Sequence, residues 1–326
     1  YYLELLRSVR GARDQDLVRF GEAGFHVSGE VAVHGRVREV GVGYERHGRR
    51  KRVRVDGAEV PKLSEALGSL PAVMISPRDV SLVSGAPSER RRFLDVALGL
   101  TSRRYLTSLQ HYRAALLRRN AALREVQRGR EGGQRVAVWE PALAQHGAVL
   151  WSERLAWVER WAGEFSRLCA AIGERQPATL RYTTGVAPGA AMADALLAAL
   201  ESKRALDVKR GVTHAGPHRD ELEVLLDGRE ARAFGSAGQQ RTAAIALRML
   251  EASTLQARVQ AAPLLLLDDP FAELDVGRAE RILALLGERG MGQTLIAVPR
   301  ISDIPPELTR LARLRIADGA LAPLDA

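Results

Sequence analysis

The apolar positions of this chain change their period twice. Over 25–60 they alternate in short runs: Val27, Val31 and Val33, then 37–44, then Val53 and Val55. Asp56-Gly57 follows as a hairpin-turn signal. The pattern predicts a small antiparallel sheet over about 25–60, and the apolar run at 71–75 suits a buried strand. From 88 to about 210 the spacing becomes helical. Leu106, Leu109, Ala114, Leu117 and Ala121 share one helix face, and 149–172 forms a second amphipathic run. This predicts an all-helical insert, longer than a loop, in which no heptad is sustained enough for a coiled-coil arm. After Gly211 strand signals return at 222–226, with Asp227-Gly228 as a turn. A helix from Gly238, a buried strand, a helix over 277–289 and a strand over 294–298 follow. The order predicts an α/β fold, a parallel-sheet domain interrupted by a helical lobe, divided at 1–87, 88–210 and 211–326.

Charge sharpens this picture, because the formal excess of +9 is uneven. Between Ser88 and Arg135 twelve arginines face four acids, and 45–56 adds a second basic cluster around Arg49, Arg50, Lys51 and Arg52. Clustered arginine is the footprint expected of a protein that binds a phosphate backbone. A solvated helix face in an arginine-biased chain accounts for the same clusters, and charge leaves both readings open. The single cysteine, Cys169, has no partner for an internal disulfide and no metal-ligand spacing around it, which fits a reducing cytoplasm. No run approaches the roughly 18 apolar residues of a membrane span, so no membrane partner is expected.

The densest chemistry lies at Pro263, where four leucines run into Asp268-Asp269. Such a string describes a buried parallel strand that emits carboxylates at its C-terminal edge, where open α/β sheets bind ligands. In a nucleoside triphosphatase the first acid holds Mg²⁺ through its water shell and the second polarises the attacking water. The blander reading is a strand-end Asp capping the next helix. About 30 residues upstream stands Phe234-Gly235-Ser236-Ala237-Gly238-Gln239-Gln240-Arg241-Thr242. Ser236 with Gln239 three residues on forms a capping box. The small residues at 235, 237 and 238 let a phosphate approach the exposed N–H groups of the helix start.

Taken together, these two segments resemble the signature motif and Walker B of ABC-type ATPases, and the Gly-Gln-Gln-Arg-Thr form is similar to that of the RecF family. Several further blocks carry the same resemblance. They are Leu6-Arg7-Ser8-Val9-Arg10, the run 77–95, Arg118-Arg119-Asn120-Ala121-Ala122-Leu123, Val138-Trp139 and Thr213-His214-Ala215-Gly216-Pro217-His218-Arg219-Asp220. The resemblance implies an ABC-ATPase head (P-loop NTPase) with a small antiparallel β-subdomain and an inserted helical lobe. It implies Asp268 on Mg²⁺ and Asp269 in the catalytic carboxylate position. Asp275, with Glu273 and Leu274, falls at the D-loop. Ser236, Ala237, Gly238 and Gln239 would reach ATP bound to the opposite subunit, giving a homodimer induced by ATP. That dimer would clamp double-stranded DNA and single/double-strand junctions, with Arg49, Arg50, Lys51, Arg52, Arg118 and Arg119 as candidate contacts. Slow hydrolysis would release it, and RecR, RecO and RecA are the implied partners at single-strand gaps.

Two departures stand beside this. The loop Gly-x-x-x-x-Gly-Lys-[Ser/Thr] is absent from the chain as given and is expected immediately upstream of Tyr1; without it the chain is expected to bind ATP poorly and to be inactive alone. No histidine follows the strand at 294–298, so the γ-phosphate sensor is unassigned. The competing class is an ATP-independent DNA- or protein-binding scaffold that keeps the head shape. His218-Arg219-Asp220 imitates a kinase catalytic loop without its companions, and His214, His218 and Asp220 imitate a metal site. A turn at the lobe junction or near nucleotide fits that segment better. Tyr105 and Tyr112 could stack on bases, but their seven-residue spacing suits core packing. Trp139, Trp151, Trp157 and Trp161 likewise read as lobe core.

Overall fold

The computed structural model describes residues 1–130, 132–186, 189, 191–271, 274–288, 292–304, 308 and 311–324. A one-turn helix α1 (Tyr2–Leu5) precedes a meander of β1 (Gly24–Val33), β2 (Arg36–Glu45), β3 (Arg50–Val55) and β4 (Ala58–Glu59), antiparallel in that order. Asp56-Gly57 closes β3 onto β4 with positive φ at both residues, 51° and 79°, as a two-residue hairpin turn requires. His34-Gly35 does the same between β1 and β2, at 51° and 72°, without the usual sequence signal. The short helix α2 (Leu63–Ala66) then leads to β5 (Ala72–Ile75).

The chain next turns helical, through α3 (Ser81–Ser84), α4 (Pro87–Thr101), α5 (Arg103–Gln127), α6 (Gln134–Ala137) and α7 (Glu140–Ile172). Pro87 begins α4, where its missing N–H costs nothing, and the Ser102 hydroxyl caps α5 by accepting from the Tyr105 amide at 3.1 Å. At 33 residues α7 spans roughly 50 Å and packs along α5 and α8 (Met192–Arg210). Gly173, with φ of 115°, ends it in the left-handed conformation. The stretch expected to be all-helical also holds a strand, β6 (Ala178–Thr183), which pairs antiparallel with β7 (Glu221–Leu226). Ala178, Leu180 and Tyr182 turn inward at period two, but the strand finds its partner only across α8, a pairing no local pattern announces.

Beyond β7 come β8 (Arg229–Glu230), α9 (Ala231–Phe234), α10 (Ala237–Val259), β9 (Leu264–Asp268), α11 (Val276–Glu288), β10 (Thr294–Ala297), and a terminal hairpin of β11 (Leu314–Ala317) and β12 (Ala320–Pro323). β9 is the centre of a parallel sheet ordered β10-β9-β5. Its two faces meet different cores. Leu265 and Leu267 are buried in the main core with Val73 and Ile75, while Leu264 and Leu266 are half-buried against Val40, Leu70 and Ala72 at the root of the β-subdomain. Each fully buried leucine stabilises the sheet by about 1.5–3 kcal/mol.

The main core runs unbroken from that sheet through α10 to the helical lobe. α10 contributes Leu247, Met249, Leu250 and Leu255, and α7 contributes Trp151, Trp157, Phe165 and Leu168. Tyr105 and Tyr112 are buried there, so neither is free to stack on a base, whereas Trp139 and Trp161 are half-buried. Cys169 is in the same core, and burial pushes its thiol up to about 12. Among the described residues no helix is long and apolar enough to cross a membrane.

Candidate nucleotide site and signature face

The parallel sheet places Ile75, Asp268 and Ala297 at one edge, with Asp268 directly opposite Ala297. Asp269 continues the ladder, its amide donating to the Ala297 carbonyl at 2.8 Å, and then turns away with φ of 49°. Just beyond this edge lies a cavity of about 710 Å³, lined by Asp268, Asp269, Ser76, Arg10, Arg78 and Arg92 among others. Neither carboxylate is engaged by a hydrogen bond or ion pair from the described residues, which leaves their oxygens for a hydrated cation. No group of three or more His, Cys, Asp or Glu side chains closes a metal cage among the described residues. That donor set suits Mg²⁺, which keeps most of its water and leans on substrate phosphates. Arg10, Arg78 and Arg92 bring positive charge to the same cavity. The sequence signalled them only as members of the quoted blocks, since the topology alone brings them to the carboxylates.

One wall of the cavity is braced by its own ion pairs. Asp79 caps the turn after β5, accepting from the Ser76 amide at 2.6 Å. Its other oxygen accepts from Arg248 of α10 at 3.0 and 2.7 Å, and Arg248 also donates to Glu251 at 2.6 Å. Burial raises the carboxyl pKa of Glu251, and burial together with the nearby Glu251 raises that of Glu4. The edge holding Asp268 and the signature helix are thereby tied through one guanidinium.

At the other end of α10 the capping box forms as the sequence predicts. The Ser236 hydroxyl accepts from the Gln239 amide at 3.3 Å, and the Gln239 side chain accepts from the Ser236 amide at 2.9 Å. Gln239 also donates to Glu174 and Gln176, each at 3.2 Å, anchoring the helix start to the segment after α7. Asp275 caps α11 by accepting from the Arg278 amide at 2.9 Å. Arg278 lies against Gly238, where a β-carbon would stand 2.4 Å from its guanidinium. Ser236, Ala237 and Asp275 are exposed, and Phe234 beside them is 71% exposed. The structure therefore joins Ser236, Ala237, Gly238, Gln239 and Asp275 in one face. It does not join them to Asp268 and Asp269, since none lines that cavity. Glu273 lies outside the described residues.

The basic candidates divide. Arg49, Arg50 and Arg118 are exposed, Arg118 with its guanidinium 5.1 Å from the Trp139 ring centroid. Arg119 is a correction: it is fully buried, bonded to Asp207 at 2.7 Å, Thr213 at 2.8 Å and Glu140 at 2.9 Å, so it cannot reach DNA. Lys51 is a second. Its ammonium is paired with Asp14 at 3.0 Å, bonded to the Leu6 carbonyl and set 4.9 Å from the Tyr2 ring centroid, and its side chain is only 13% exposed. Arg52 is half-buried.

The segment around His214 and His218 packs against α5, α7, α8 and β6. Thr213 donates to Asn120 and accepts from Arg119, His214 contacts Asp207 at 2.7 Å, and Asp220 accepts from Trp151 and from Tyr182. Tyr112 donates to Nδ1 of His218 while Nε2 faces the Thr213 carbonyl at 3.1 Å, the pattern of a neutral ring. Burial draws its pKa down to about 4.

A parallel strand ending in paired carboxylates, a box-capped helix with glycine in its first turn, and an acid-capped helix packed against that glycine define an ABC-type ATPase head. No family model matches the chain. It is 36% identical to the DNA replication and repair protein RecF of Roseiflexus castenholzii, covering 99% of this chain and 89% of the relative. With the same protein of Bacillus subtilis it shares 31% identity, over 98% and 88% of the two chains. A solved structure described as the recombination mediator protein RecF-ATPrS in the RecFOR pathway superposes with a TM-score of 0.90 at 29% identity, covering 99% of this chain and 86% of that one. The chain belongs to the RecF family of DNA replication and repair proteins.

Proposed function

We propose that the chain acts as an ATP-gated clamp on double-stranded DNA in recombinational gap repair. The observation that carries this reading is the division of the candidate residues between two surfaces. Asp268 and Asp269 border the cavity at the sheet edge, while Ser236, Ala237 and Asp275 are exposed on a face outside it. A second copy presenting its signature face to that cavity would complete the site, so ATP is the bond that makes the homodimer. In it Asp268 would hold Mg²⁺ and Asp269 would orient and polarise the attacking water. Bound Mg²⁺ supplies neutralising charge to the phosphates. The first N–H groups of α10 lack intrahelical partners and, with the Ser236 hydroxyl, meet the γ-phosphate.

Closure brings the exposed arginines of two copies, Arg49, Arg50 and Arg118 among them, around the duplex. Slow, DNA-stimulated hydrolysis then reopens the clamp. The relatives' setting in the RecFOR pathway supports action with RecO and RecR in helping RecA load at gaps, where single- and double-stranded DNA meet.

Duplex binding by the full-length protein, measured with and without ATP and Mg²⁺, tests this in wild type and in Ser236→Arg. ATP is expected to tighten wild-type binding at least about tenfold, or about 1.4 kcal/mol, and the substitution to abolish that gain by filling the γ-phosphate position. Binding that ignores both ATP and the substitution would sink the clamp and leave an ATP-independent scaffold.

A further inference from the structure

We propose that the cleft between the segment after α1 and the helices α4 and α5 is a second phosphate site, distinct from the cavity at Asp268 and Asp269. Its volume is about 940 Å³, and its polar wall is built by Arg7 and Ser8, by Arg91 and Arg92 of α4, and by Gln110 and Arg113 of α5. Arg154 lies at its floor, so five guanidiniums line a cleft whose single carboxylate among the described residues is Asp95.

That carboxylate is already committed. Asp95 accepts from Arg154 and from Arg113, each at 2.7 Å, and from the Tyr105 hydroxyl. Arg91 is fastened to the Asp220 carbonyl at 2.7 Å. Arg7 and Arg92 have no ion-pair partner among the described residues, and burial together with the facing guanidiniums of Arg92 and Arg113 lowers the pKa of Arg7. Like charges gathered from three separate elements repel one another, and an anion between them removes that repulsion. Guanidinium forks match a phosphate's oxygens, and the leucines behind them, Leu67, Leu106, Leu109 and Leu116 among others, limit the water that would screen the contact. Among the described residues Asp95 is the one acid in the lining, fewer than a cation would need.

The phosphate could belong to a DNA backbone or to a free phosphate compound. The DNA source rests on the clamp reading, whereas the anion site does not. Leu5, Arg92 and Val96 line both cavities, so Arg92 is left untouched in the test.

Two probes decide it, both used on the full-length protein: a short fluorescein-labelled duplex, and inorganic pyrophosphate titrated onto protein already loaded with ADP. The variant is Arg7→Gln with Arg113→Gln. Loss of two phosphate contacts is expected to weaken duplex binding on the order of tenfold and to lower the salt slope by about two. A loss confined to duplex binding assigns the cleft to a DNA backbone, and one confined to pyrophosphate assigns it to a free phosphate compound. If the wild type binds no duplex at all yet its pyrophosphate affinity falls in the variant, the clamp reading fails and the phosphate site stands. Unchanged affinity for both probes overturns the site. Should the double variant melt early, Ser8→Glu places a carboxylate on the same wall, and the same losses are expected from it.

Discussion

Arg118 and Arg119 are neighbours on α5, identical in chemistry and roughly a hundred degrees apart around the helix, and the fold treats them as different residues. Arg119 is sealed in the helical lobe among Glu140, Asp207 and Thr213. Arg118 stands in solvent beside Trp139. The same division runs through the whole arginine excess. One set, with Arg154 and Arg119 as hubs, is spent on carboxylates, phenols and carbonyls that stitch α5, α7, α8 and the β6–β7 pair together. The other set, at Arg7, Arg92, Arg49, Arg50 and Arg118, has charge to offer a ligand. Local charge density measures both sets at once, so it overstates the surface open to DNA. Helix phase and the position of acids distant in sequence separate them.

The strongest way to break this comparison is Arg119→Leu. It leaves buried Asp207 without its guanidinium and, among the described residues, held by His214 alone, while Glu140 keeps Arg204. Removing one partner of a buried ion pair costs about 3–5 kcal/mol, so urea unfolding should show a loss of that order. A loss below 1 kcal/mol would mean the lattice is not what holds the lobe.

His218 offers a pH test of the same buried packing. Its folded pKa of about 4 lies below the ordinary 6.5, so between those values the unfolded chain takes up a proton that the fold refuses. Stability is therefore full above pH 6.5 and falls as pH drops toward 4, by up to about 3 kcal/mol from this ring. His218→Gln keeps a donor for the Thr213 carbonyl and should flatten that part of the profile. The difference between the two proteins isolates it from Asp220, whose carboxyl burial shifts upward. Parallel pH profiles for wild type and variant would show that the ring takes its proton in the fold as readily as outside it.

Arg49→Glu with Arg50→Glu sharpens the other side. Reversing two exposed charges should weaken duplex binding about tenfold, roughly 1.4 kcal/mol, and flatten its salt dependence, with little change in melting temperature. Full retention of affinity would move the DNA path away from the β-subdomain. The smallest effect is expected for Arg118→Ala, a stability change within about 0.5 kcal/mol. A large loss there would erase the contrast with its neighbour.

What the sequence made legible was local in origin. Four leucines before two acids, a serine three residues ahead of a glutamine, and Asp-Gly between valine runs each encode their structure within a few positions, and β9, the start of α10 and the β3–β4 turn follow. What it hid depends on residues far apart. β6 declares itself only against β7, Lys51 is neutralised by Asp14, and the arginine cleft needs three elements to meet. Arg119 escapes a local reading for the same reason, since Asp207 and Thr213 lie 88 and 94 residues further along.

Asp269 holds its place by its main chain. Its φ of 49° is a conformation that aspartate and asparagine enter readily and branched or bulky residues do not, and its amide is already bonded to Ala297. A variant such as Asp269→Val would disturb the corner as well as delete the carboxylate, and lost turnover would then have two causes. Asp269→Asn preserves the corner and alters the acid alone. The backbone thus dictates which substitution can be interpreted, and it confines chemical editing at this position to the distance between an oxygen and an amide nitrogen.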